Sequence, residues 1–169
     1  MVKETLALLE DHCCPCDTDD LAPERKALTW KIWSATRYGG TWTDIDAYDH
    51  VVRVGSDSFS NPYSGDTSTS ECLPILCVKK TGEDIPGWAK SLMSVYHTNG
   101  GARRDTWLSG DVAFTKPILG RSITSLTRAN QMCEEEFGKG FRMGAHDDGD
   151  CPPNSHCGWG FWGSLLIGD

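Results

Sequence analysis

The amino-acid sequence predicts an α+β domain: a small antiparallel sheet with two or three helices and long loops, stabilised by disulfides. Three observations carry this. A clear helical pattern follows Ser122, where Leu126, Ala129, Cys133 and Phe137 recur on one face. Runs rich in β-branched and apolar residues occur at 48–54 and 72–80. Finally, eight cysteines in 169 residues with 18 glycines are the usage of a loop-rich chain from an oxidising compartment.

Taken in order, residues 2–12 read as a short helix, with Val2, Leu6, Leu9 and Cys13 at helical spacing. Residues 13–21 form a polar, Asp-rich connector. Residues 23–33 suit a second helix, with Pro23 at a first-turn position and Leu28, Trp30, Ile32 and Trp33 on its buried side. These segments make residues 1–35 an N-terminal helical arm and leave 36–169 as the globular α+β domain. Tyr38 to Trp42 read as a turn into a strand, and 48–54 as a strand. The Ser-, Asp- and Gly-rich residues 56–70 form a long loop. Pro74 interrupts the strand at 72–80, which places it at an edge or a strand start. A turn over 81–87 leads to 88–96, which fits helix or strand equally. A further strand lies near 112–115.

The helix after Ser122 has Thr124 or Ser125 as its cap and Gly138 as its stop. Glu134, Glu135 and Glu136 crowd its last turn, the unfavourable end of the helix dipole, and read as a solvated face. Phe141, Arg142 and Met143 form a short strand. Residues 145–150 are an acidic loop, and 158–163 are aromatic and glycine-rich.

The formal net charge is −8. An acidic chain has no basic surplus with which to displace counterions from phosphates or to dock on anionic lipid, so nucleic acid and membrane surfaces are excluded as partners. No apolar run approaches the roughly 18 residues of a membrane helix, and no membrane insertion is expected. The first residues, broken by Glu10 and Asp11, do not read as a signal peptide. The cysteines point the other way and place the protein outside the cell or on its surface. The sequence does not select their pairing. Cys151 and Cys157 bracket a short loop and make a plausible local pair, while Cys72 and Cys77, if on a strand, call for separate long-range partners. The cluster Cys13-Cys14-Pro15-Cys16, with His12 before it, leaves zinc open as an alternative, though it lacks the usual paired spacing.

The stretch 125–143, where Ala129 and Cys133 share a helix before Gly138 and a short strand, resembles the early helix of C-type-lectin-like domains. Residues 72–80, with two cysteines around a short apolar run before a lysine, resemble that family's closing strand. In the family the helix precedes the closing strand, whereas here it follows by about fifty positions, and the calcium and sugar motifs are absent. The resemblance implies a mixed, disulfide-pinned extracellular interaction domain and carries over no binding residues.

No nucleophile elbow or phosphate-binding glycine loop occurs. Asp147, Asp148 and Asp150, around Gly149, offer the hard oxygens that calcium prefers; no other cofactor is suggested. Trp159, Phe161 and Trp162 are candidate binding residues, since rings set among glycines give large contact area at low entropic cost. The expectation is a non-catalytic binding or structural protein with a protein or glycan partner, as a homo- or hetero-oligomer or part of a larger extracellular assembly. The alternative is a metal-dependent enzyme with a site around His146, Asp147, Asp148 and His156.

Overall fold

The computed structural model describes residues 25–37, 50–55, 64–90, 104–149 and 157–166. Ten strands fall in this part of the chain: β1 (Lys26–Ala27), β2 (Lys31–Arg37), β3 (His50–Gly55), β4 (Thr67–Ser68), β5 (Cys72–Leu73), β6 (Leu76–Lys80), β7 (Arg104–Phe114), β8 (Ile118–Leu119), β9 (Arg142–Met143) and β10 (Cys157–Leu165). One α-helix among the described residues, α1 (Leu126–Phe137), accompanies them. Six strands form the main sheet in the order β2-β3-β10-β7-β6-β9, and two small ladders, β1-β4 and β5-β8, stand beside it.

Two expectations are corrected. The fold is sheet-rich, with one α-helix among the described residues, not an α+β domain with two or three. Its main sheet is mixed: β10 runs parallel to β7 while its other neighbour, β3, is antiparallel. The helix expected over 23–33 is replaced, in its described part, by β1 and β2. There Leu28, Trp30 and Ile32 alternate, while Leu28 with Ile32 and Trp30 with Trp33 stand at helical spacing, and a short apolar run can satisfy either period. Pairing with β3 along most of β2 decides for strand, and β2 runs across the boundary placed at residue 35. The helix expected over 2–12, the turn after Tyr38 and the loop between Cys151 and Cys157 lie outside the described residues.

Other expectations hold locally. The strand read over 48–54 is observed as β3, whose Val51, Val52 and Val54 are buried. Pro74, which has no N–H to give a ladder, separates β5 from β6. In α1, the Ser125 hydroxyl accepts from Arg128 N at 3.1 Å, satisfying one of the donors a helix start leaves open. Gly138, at φ 95°, ends the helix in a conformation that a side chain would oppose. Ala129 and Cys133 are buried as the pattern requires, whereas Leu126 stays exposed. Of the acidic triplet, Glu135 pairs with Arg128, and Glu136 accepts from the backbone N–H of Lys116.

The sheet buries both faces. On one, Val52, Val54, Leu76, Val78, Leu108, Val112 and Phe161 form the largest core cluster, with Trp30 and Phe114 packed on it. On the other, Ile75, Cys77, Ala113, Cys133 and Phe141 join the sheet to α1. A buried disulfide, Cys77–Cys133, crosses this layer with a Cα–Cα distance of 5.7 Å and a sequence separation of 56. That is the long-range partner expected for Cys77. A third, smaller cluster places Val51 and Trp107 against Ala89, on a short 3₁₀ turn at Gly87–Ala89. The Trp107 indole N–H donates to the Glu83 carbonyl at 2.7 Å.

β7 is not regular. Trp107 and Asp111 pair with Trp162 and Ser164, so two extra residues are accommodated on β7. Ser109 sits there at φ 57°, and its carbonyl accepts from Thr81 N and Gly82 N, both at 2.9 Å. The bulge is thus held by the connection that follows β6.

Candidate functional site

The two small ladders frame the site. β1 pairs with β4 through Lys26↔Ser68 and Ala27↔Thr67. β5 pairs with β8 through Cys72↔Leu119 and Leu73↔Ile118. Between them and the edge of the main sheet lies a groove with a volume of about 320 Å³. Leu28, Trp30 and Ile32 contribute one wall; Leu73, Pro74, Ile118 and Ile123 the other; Ile75, Leu76, Phe114 and Met143 reach it from the sheet. The sequence builds this concavity because strands of two residues cannot close a layer over the sheet, and the apolar residues beside them remain at its mouth.

Local hydrogen bonds fix the rim. One carboxylate oxygen of Asp66 accepts from the Thr29 N–H at 2.8 Å, the Thr29 hydroxyl at 2.9 Å and the Thr67 hydroxyl at 3.2 Å. The Thr29 and Thr67 hydroxyls also contact each other. Across the groove, Gly120 N donates to Glu71 O at 3.0 Å and Arg121 N to Thr69 O at 2.7 Å. Trp30 leans on Phe161 with ring centroids 5.8 Å apart, which ties the groove wall to the core. Ile32 is 55% and Leu73 43% exposed. Of the three large apolar side chains exposed among the described residues, these two line the groove; the third, Leu126, does not.

The described side chains among those singled out from sequence do not line this groove. Phe161 is wholly buried, so its ring fills the core instead of offering a binding surface. The reason is packing on the sheet face, where Phe161 joins Val52, Val54, Leu108 and Val112 and the Trp30 ring lies against it. Trp159 and Trp162 lie along β10, and their side chains are outside what is described.

In the acidic loop, Asp147 is exposed and Asp150 lies outside the described residues. Asp148 is 6% exposed and held by Arg142, whose Nη1 donates at 3.0 Å and whose Nη2 makes a second bond. The Ala145 N–H adds a third donor at 2.6 Å. The hydrogen bond to Asp148 raises Arg142 above the ordinary guanidinium value, with burial opposing. A carboxylate held by three donors anchors this loop to the strand that carries Arg142. His146 is half-buried, and His156 is outside the described residues. No group of three or more His, Cys, Asp or Glu side chains is placed to hold a metal among the described residues. Nor is any helix there long and apolar enough to cross a membrane.

The anchor seats the loop tightly. A Cβ on Gly149 would stand 1.7 Å from the Thr106 hydroxyl and 3.1 Å from the Phe161 Cβ. The groove itself was not read from the sequence. Its available signal was the pair of apolar segments flanking Pro74 and spanning residues 118–123, both next to turn residues.

Comparison with protein-family models, curated proteins and solved structures gave no match.

Proposed function

We propose that this chain is a non-catalytic binding module of an extracellular or cell-surface protein, and that it holds its partner in the groove between the two ladders. The observation that carries this reading is the pair of exposed apolar side chains, Ile32 and Leu73, on a groove whose walls are otherwise ordered. Exposed apolar area gathered beside a concavity is where protein surfaces take ligands. The buried Cys77–Cys133 bond supports the compartment, because such bonds persist where thiols are not kept reduced. The partner is a protein or a glycan, and no cofactor enters this reading.

Substituting Leu73→Asp tests it. Binding to displayed peptides or to a glycan array should fall at least tenfold. Unfolding free energy should stay within about 0.5 kcal/mol of the parent, since Leu73 is half in solvent already. Undiminished binding by the variant sinks the reading, as does the absence of any ligand for the parent.

A further inference from the structure

We infer that the occupant of the groove is a short segment of a protein partner, bearing two apolar anchor side chains next to a lysine or arginine. This deepens the binding reading above and rests on it. Three observations select the occupant. First, three of the four hydroxyls that line the groove are already engaged: those of Thr29 and Thr67 donate to Asp66, and that of Ser68 bonds the Ser70 hydroxyl at 2.8 Å, which leaves Thr69. A glycan is held by several free donors and acceptors converging on its own hydroxyls, and this groove instead offers hydrocarbon. Second, a volume of about 320 Å³ is at the small end for ligand pockets, which span roughly 300–1,000 Å³. It admits two bulky side chains. A second copy of the chain would need about 800 Å² per partner for a stable interface, far more than two exposed side chains supply.

Third, Glu71 is the one charged residue that lines the groove, and it is exposed. The nearby cations Lys26, Lys31 and Arg121 are not among the lining residues. On a chain of net charge −8, an acidic group at the mouth of an apolar groove favours a basic residue beside the anchors and disfavours an acidic one.

The test uses the full chain, panned against a displayed random heptapeptide library, with a glycan array and sedimentation velocity run in parallel. The expected result is enrichment of heptapeptides with two apolar residues next to Lys or Arg, their binding weakened at least tenfold by Leu73→Asp. Glu71→Lys should invert the flank preference from basic to acidic while the melting temperature stays unchanged, a readout that loss of folding cannot imitate. Enriched peptides whose flanks ignore Glu71→Lys overturn the inference. Leu73-dependent glycan binding, or Leu73-dependent self-association, also overturns it but leaves the groove as a binding site. If no probe binds in a Leu73-dependent way, both the inference and the binding reading fall.

Discussion

Two flanks of the same sheet are built to opposite standards. Where α1 lies on β6 and β7, the contact is buried and covalent: Cys133 is bonded directly to Cys77 in a cluster with Ile75, Ala113 and Phe141. The Ala145–Gly149 turn, held by Arg142 and Asp148, is seated as closely. Where β1-β4 and β5-β8 stand beside the sheet, the layer is made of two-residue pairings around a gap, and Ile32 and Leu73 are left in solvent. Close packing leaves no room for a ligand, and an open edge contributes little to stability. The division lets one flank hold the fold while the other stays available.

The contrast breaks first at the disulfide. Replacing both Cys77 and Cys133 with alanine should cost about 4 kcal/mol by loop-closure entropy for a 56-residue separation, against no more than about 0.5 kcal/mol for Leu73→Asp. Urea unfolding of the two variants decides it, and a disulfide loss below about 1 kcal/mol removes the asymmetry. Gly149→Ala comes next. Its new methyl group collides with Thr106, so a loss of roughly 1–3 kcal/mol is expected. Thr106→Ala in the same chain should recover part of that loss, giving a measurable coupling. Strictly additive effects would mean that the turn does not rest on Thr106.

The smallest effect comes from Asp111 on β7, opposite Lys79. Burial raises its carboxyl above the usual 3.8, with Glu83 adding to the rise and Lys79 opposing it. The unfolded chain therefore ionises this group more readily, and its charge opposes folding at neutral pH. Below about 3.8 both states are protonated and the penalty disappears. Asp111→Asn should melt slightly higher than the parent at pH 7 and equally at pH 3.5, the gain being small because the group is partly in water. An advantage that grows as the pH falls would reverse the sign of this account.

What was legible in the sequence follows the same division. The capped helix, the valine-rich β3 and the break at Pro74 are dictated by near neighbours in the chain, and their residues state them. β10 was hidden because its glycines weaken the strand pattern. They are there because the neighbours come too close: a Cβ on Gly163 would meet Val112 at 2.4 Å, and one on Gly160 the Val54 carbonyl at 2.6 Å. That approach is a tertiary fact with no local signature. Phe161 and Asp148 were misread for the same reason, since an aromatic among glycines and an acid in a polar loop both look exposed until the strand or arginine that covers them is known. The groove joins residues more than a hundred positions apart, from Ala27 to Met143, and no pattern along the chain could assemble it.

The place of β10 has a consequence for biosynthesis. β2 and β3 make one half of the main sheet and β7, β6 and β9 the other, and among the described strands β10 joins them. During translation both halves are synthesised before Cys157 is added, each with a strand edge that has no partner in the sheet order. The sheet closes only when this late segment inserts between them, antiparallel to one half and parallel to the other. Such long-range closure is slow, and an open edge invites the wrong neighbour while it waits. A released chain that lacks β10 is therefore two unjoined half-sheets, and it should bind holdase chaperones more than the chain that carries this strand.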